Sequence, residues 1–183
     1  LSTRKAIEIN PDFAEAHSNL GNILKDLGNL KEAELSTRKA IELKPDYAMA
    51  HNNLGDILRD LGNLQEAELS TRKAIQINPN FAQAHYNLGN ILRDLGKSKE
   101  AERSIHKAIE IKPDFEKANE LLGLMHLQKG NPDLSLEYFA ESARLLNEQK
   151  NKKSGYTRFK MISEAKIQHD IEQFEYLASQ GYE

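Results

Sequence analysis

Residues 48–81, AMAHNNLGDILRDLGNLQEAELSTRKAIQINPNF, decide the fold, because nearly the same string stands at 14–47 and again at 82–115. Pro11, Pro45, Pro79 and Pro113 mark the register at a spacing of 34 residues. A period of that length means that each unit is one supersecondary element. Such a unit cannot bury its apolar face alone and must stack on its neighbours. Residues 1–13 read as the tail of an earlier copy and 116–149 as a degenerate later one. Stacked arrays expose extended surfaces, so binding is expected and catalysis is not.

Within each unit, two apolar-periodic stretches flank Gly28, Gly62, Gly96 or Gly130. This pattern reads as helix–turn–helix, with glycine supplying the left-handed residue that ends the first helix. Asn29, Asn63 and Asn131 are expected to cap the second helix. Glu32 and Glu66 would complete capping boxes, and Pro132 would occupy a first turn. Asp12 with Glu15, and Asn80 with Gln83, read as capping boxes of first helices. Gly21, Gly55, Gly89 and Gly123 lie in mid-helix, where glycine costs about 1 kcal/mol relative to alanine. A cost repeated in register implies a repeated gain, most simply the close approach of the partner helix.

These units resemble tetratricopeptide repeats. Leu20-Gly21, Ala33, Ala40 and Pro45 match the family pattern and recur, over roughly residues 1–149. The resemblance implies an all-α fold, a right-handed α-solenoid of antiparallel helix pairs. Full repeats would occupy 14–47, 48–81 and 82–115, between a partial repeat at 1–13 and the degenerate one at 116–149. Three aromatic positions depart from the pattern: His17, His51 and His85 stand at the first, Leu24, Leu58 and Leu92 at the second, and Thr37 and Thr71 at the third. Leu1, Leu35 and Leu69 take a second-helix position that is usually polar. A slightly rotated helix that buries them is the favoured reading, and an outer apolar stripe ending at Arg103 is the alternative.

Composition narrows the chemistry. The 183 residues are 39% hydrophobic and 29% charged, with net charge −3, and no basic patch marks a nucleic-acid interface. There is no cysteine, which removes disulfides and thiolate metal sites. No apolar run is long enough to span a bilayer. No phosphate-binding loop, nucleophile elbow or His-Glu-x-x-His motif occurs, so no enzyme activity, cofactor or metal is expected. His17, His51 and His85 recur only because the repeat does. Helices pack roughly 8–10 Å apart, too far for such histidines to share a zinc ion. The Asp26, Asp60 and Asp94 register reads as a solvated, charge-balanced helix face. No signal peptide is seen, and a cytoplasmic location is expected. Opening inside a repeat without Met, the chain reads as a fragment.

The binding residues are expected on the first helices. Asn19, Asn53 and Asn87 share one register, and Asn22, Asp56 and Asn90 lie three residues on, on the same face. In the tetratricopeptide fold the first helices line the concave surface, so these residues would form a polar ladder. An asparagine amide donates and accepts and can grip the backbone of an extended peptide. The alternative is that they bond to a neighbouring helix. The ladder is similar to that of the repeat region of O-GlcNAc transferase, where such asparagines contact substrate backbone. Lys25, Arg59, Tyr86 and Arg93 complete the expected peptide site. Lysine is absent from the Ser18, Asn52 and Tyr86 register, so capture of an acidic chaperone C-terminus is not expected.

The fourth copy carries Leu121, Leu124 and Leu127 on the ladder face and should be covered. A polar break is expected at Gln149–Gly155. A helix is expected over Thr157–Ser179, with Ile167, Ile171, Phe174 and Ala178 on one face, so that 150–183 forms a linker and a capping helix. This segment loosely resembles connectors after bacterial repeat arrays that lead into an enzymatic domain. Three functions follow: a module that binds a peptide or protein in its groove, an adaptor region of a larger enzyme, or a solenoid that self-associates through its open N-terminal edge or leucine stripe.

Overall fold

The computed structural model describes residues 2–154, all of whose regular elements are helices. They form two units, Leu1–Ile111 and Lys112–Glu183. In the first, α1 (Ser2–Ile9) precedes three helical hairpins: α2 (Ala14–Asp26) with α3 (Leu30–Leu43), α4 (Ala48–Asp60) with α5 (Leu64–Ile77), and α6 (Ala82–Asp94) with α7 (Ser98–Ile111). In the second, α8 (Glu116–Gln128) pairs with α9 (Pro132–Ser154). The expected capping helix over Thr157–Ser179 lies outside the described residues. The helix α9 runs on to Ser154, so the stretch expected as a break from Gln149 is helical that far.

Each hairpin turn is built alike. Gly28 has φ +79°, Gly62 +81°, Gly96 +75° and Gly130 +73°, the left-handed region that glycine enters without strain. Gly28 N–H donates to Lys25 O at 2.8 Å and Asn29 N–H to Leu24 O at 2.9 Å. This paired pattern closes a helix C-terminus on its last carbonyls, and it recurs at the other three turns. Asn29 and Asn63 stand at the N-cap as expected, but their side chains make no capping bond. Their backbone N–H already closes the preceding helix.

The first-helix capping boxes are also corrected. The N-cap residues are Phe13, Tyr47, Phe81 and Phe115, again without a side-chain bond. Each helix starts one residue later than expected, after a backbone turn in which Phe13, Tyr47, Phe81 and Phe115 N–H donate to the carbonyls of Asn10, Lys44, Asn78 and Lys112 at 3.1–3.2 Å. Asn10 and Asn78 add a side-chain bond, accepting from Asp12 N–H and Asn80 N–H at 3.2 Å. The recurrent histidines then fasten that loop. His17, His51 and His85 place Nε2 at 2.8, 2.9 and 2.9 Å from Pro11 O, Pro45 O and Pro79 O. A carbonyl can only accept, so Nε2 carries the proton.

The mid-helix glycines permit contact between the two helices of a hairpin. A Cβ on Gly21 or Gly55 would overlap the Thr37 or Thr71 hydroxyl, and one on Gly89 would overlap Ile105. On Gly123 it would lie 2.9 Å from the Phe139 ring, so the fourth repeat recovers the aromatic that Thr37 and Thr71 replace. Both threonines are fully buried and bond the carbonyl of the preceding turn, at 2.8 Å for Thr37 with Ala33 O and 2.9 Å for Thr71 with Ala67 O. Small residues at Ala33, Ala40, Ala67 and Ala74, all at 0% exposure, complete the crossings.

Stacking makes the core. Ile57 packs on Leu24 and Ala33 of the preceding repeat, and Ile91 on Leu54, Leu58 and Ala67. Both isoleucines are fully buried, whereas Ile23, which has only α1 before it, is 44% exposed. The same residue in the same register thus gains about 1 kcal/mol of further burial, a little under half the value of burying the whole side chain, only when a full repeat precedes it. Leu35 and Leu69 remain 70% and 69% exposed. The second helices are therefore not rotated to bury them, and the outer-stripe reading replaces the favoured one.

Candidate functional site

Within the first unit, successive first helices touch one another, α2 with α4 and α4 with α6, while successive second helices make no comparable contact among the described residues. The first helices therefore sit on the inner side of the curve. On each of them, Gly21 or its equivalent faces the partner second helix. The Asn19 register lies two residues earlier, about 160° around the helix, and so looks away from the partner toward the inner face.

The ladder residues differ in their surroundings. Asn19 is exposed and Asn22 half-buried. Asn53 and Asn87 are 8% and 7% exposed, and each reaches back one repeat. Asn53 Nδ2 donates to Ser18 Oγ at 3.1 Å, and Asn87 Nδ2 to Asn52 Oδ1 at 3.0 Å. Gln83 Nε2 donates to Asn87 Oδ1 at 2.9 Å, and Asn90 Nδ2 to Tyr86 O at 3.2 Å. Tyr86 is half-buried beside them. Asn53 and Asn87 therefore tie neighbouring first helices together, and each of these amides retains a second N–H donor.

Charged residues complete the inner face. Lys25 Nζ lies 2.7 Å from Asp56 and 3.5 Å from Asp60. Burial lowers the affinity of Lys25 for its proton, but the two carboxylates outweigh that and hold its pKa above the ordinary lysine value. Arg59 Nε donates to Asp94 Oδ2 at 2.6 Å, and Arg93 contacts the same carboxylate at 3.2 Å. Asp60 and Asp94, expected on a merely solvated face, instead pair with cations of the preceding repeat. The link is legible only once the helices stack, because partners are 35 residues apart, one period plus one.

The outer side has two equivalent clefts that the sequence did not single out. One, of about 550 Å³, is lined by Ile41, Leu54 and Leu69 with Arg38, Glu66 and Lys73. The other, of about 420 Å³, has Ile75 and Leu88 with Arg72, Arg103 and Lys107. Arg103 there replaces the leucine of the earlier repeat. Ion pairs stitch these outer helices together: Arg38 bridges Glu34 and Glu66, and Arg72 bridges Glu68 and Glu100. Among the described residues, no cluster of histidine or acidic side chains is placed to hold a metal ion, and no helix is long and apolar enough to cross a membrane.

Comparison with known proteins agrees with this geometry. Family models described as "Tetratricopeptide repeat" match residues 14–47 and 82–115, and 37–68, and one described as "TPR repeat" matches 55–96. Together they span residues 14–115, more than half the chain. No curated protein sequence matches. Among solved structures, the chain is similar to MamA, with 29% identity and a TM-score of 0.68 over 84% of this chain and 88% of that one. It is similar to pilF of Pseudomonas aeruginosa, with 30% identity and a TM-score of 0.68 over 72% and 60%. It is also similar to an O-GlcNAc transferase of Thermobaculum terrenum, with 25% identity and a TM-score of 0.64 over 68% of this chain and 25% of that one. With its all-α solenoid, its 34-residue register and these matches, the chain belongs to the tetratricopeptide repeat family, whose arrays serve as protein-interaction modules.

Proposed function

We propose that this chain is a non-catalytic module that holds an extended peptide, or an extended segment of a partner protein, along the inner face of α2, α4 and α6. The reading is carried by one observation, the row of asparagine amides on that face at one-repeat spacing. Asn19 is exposed, and Asn53 and Asn87 are fixed by their inter-repeat bonds. A fixed amide with a spare donor loses little conformational entropy when it meets a backbone carbonyl. Asn22, Lys25, Asp56, Arg59, Tyr86, Asn90 and Arg93 flank the row and would contact ligand side chains.

The test pans a displayed library of short linear peptides against the intact chain and measures the hits by fluorescence anisotropy. Asn19→Ala with Asn22→Ala removes two amides that are not spent on scaffolding. Affinity should fall by about thirtyfold, as expected for two lost hydrogen bonds at roughly 1 kcal/mol each. Leu35→Ser with Leu69→Ser, on the outer side, should leave it unchanged. The reverse pattern would overturn the groove reading.

A second reading is favoured by the exposure of Leu35 and Leu69: self-association through the outer leucine pair. The adaptor role in a larger enzyme is compatible with either surface, and the similarity to one quarter of an O-GlcNAc transferase chain supports it.

A further inference from the structure

We propose that the third repeat reads a side chain of the bound peptide, and that the residue read is a carboxylate, Asp or Glu, held by Arg93 and Arg59. This rests on the groove reading and adds the selectivity that a row of backbone-binding amides lacks.

The inner face carries its charges unevenly. At the junction of the first and second repeats one cation, Lys25, meets two carboxylates, Asp56 at 2.7 Å and Asp60 at 3.5 Å. At the next junction the count is inverted. Two guanidinium groups share the single carboxylate of Asp94. Arg59 Nε donates to its Oδ2 at 2.6 Å, while Arg93 Nη2 and Nε donate to its Oδ1 at 3.2 and 3.4 Å. Both carboxylate oxygens are engaged and one positive charge is left over. Each guanidinium has five N–H donors, so most of them remain to be satisfied.

The imbalance has a simple origin in sequence. Asp56 supplies the extra acid in the second repeat, and the same register in the third repeat holds Asn90, whose amide turns to Tyr86 O. Asn90 brings no charge. The three charged side chains are only 27–29% exposed, so water screens the excess charge less than it would on an open surface. Arginine also has the right shape for a carboxylate, which its planar fork holds through two parallel bonds. A peptide carboxylate placed there would neutralise the excess, whereas one placed over Asp56 and Asp60 would be repelled. The groove therefore has a polarity that favours an acidic residue at the third repeat.

The test uses fluorescein-labelled peptides of one uncharged carrier sequence, amidated at the C-terminus, that differ only by a single Glu, Gln or Lys. On the intact chain the Glu peptide should bind about tenfold more tightly than the Gln peptide, and the Lys peptide most weakly, as charge-assisted bonds require. Arg93→Gln should bring the Glu-to-Gln ratio close to one. Asn90→Asp, which restores the missing acid, should do the same from the opposite direction, and it keeps the proposal testable if Arg93→Gln disturbs folding. Equal affinity for Glu and Gln peptides on the unaltered chain would overturn the carboxylate assignment and leave the groove standing. A Glu preference that survives both substitutions would overturn the role of Arg59 and Arg93. Failure of every peptide to bind would overturn this proposal together with the groove reading.

Discussion

Gly55→Ala puts the close helix crossing at risk. In an isolated helix this change would stabilise by about 1 kcal/mol. Here the added Cβ overlaps the hydroxyl of Thr71 and lies 3.1 Å from Ala67 O. Thr71 is fully buried and its hydroxyl donates to Ala67 O at 2.9 Å, so it has nowhere to rotate without losing that bond. The alternatives are an orphaned buried hydroxyl, at about 1–3 kcal/mol, or displacement of α5 from α4, at about 1–3 kcal/mol of overpacking. Once the helix-propensity gain is subtracted, a net loss of up to about 2 kcal/mol remains, centred at about 1 kcal/mol. Urea denaturation followed by circular dichroism measures it. Removing the obstacle in Gly55→Ala with Thr71→Ala should recover much of the loss, because the nearest side-chain atom is then Cβ at 3.3 Å, and the pair should be non-additive by about 1 kcal/mol. The left-handed Gly62, with nothing near its absent Cβ, supplies the contrast: Gly62→Ala should cost about 1–2 kcal/mol through backbone strain, and Thr71→Ala should not rescue it. A neutral or stabilising Gly55→Ala, or additive behaviour with Thr71→Ala, would refute the close-contact reasoning.

Further outcomes follow from the ion pairs and the outer surface. Lys97, and with it Arg72, holds the Glu68 carboxyl below its ordinary value of 4.5 by direct hydrogen bonding against an opposing desolvation. A depressed folded-state pKa means that the unfolded chain binds the proton more readily. The Glu68 contribution is therefore present above pH 4.5 and lost as pH falls through the lower folded value. Melting temperatures of the natural chain and Glu68→Gln should differ at neutral pH and converge in acid; a constant difference would contradict the assignment. His51→Ala should lose the contact with Pro45 O and lower stability by about 0.5–1.5 kcal/mol, with no change in metal content. If the outer leucines mediate self-association, the mass measured by light scattering should rise with concentration and stop rising in Leu35→Ser with Leu69→Ser; a mass independent of concentration in the natural chain would exclude that route.

The period made most of the architecture legible. Gly28 and Gly62 announced their left-handed turns, and Gly21 and Gly55 their tight crossings, because a residue that is locally unfavourable yet repeated must be compensated by its surroundings. Capping was less legible. Asp12 and Asn80 have the right chemistry, but a backbone turn closed on the carbonyls of Asn10 and Asn78 puts the N-cap at Phe13 and Phe81. Exposure of Leu35 and Leu69 was hidden because helical periodicity fixes the angle between residues on one helix and not the rotation of that helix against its neighbours. The links from Asn53 to Ser18 and from Lys25 to Asp60 depend on how one repeat sits on the next, which a set of matching positions does not contain. The ladder was thus visible as a register, and the packed helices show Asn53 and Asn87 bonded to the neighbouring helix, the use that the sequence offered as the alternative.

The most direct test of the central claim is a map of amide NMR shifts on titration with a panned peptide. Binding to the inner face should perturb the side-chain amides of Asn19, Asn53 and Asn87 and the backbone of α2, α4 and α6, and leave α3, α5 and α7 near Leu35, Leu69 and Arg103 unmoved. A footprint centred on the outer second helices, with the asparagine side-chain amides unshifted, would contradict binding in the groove.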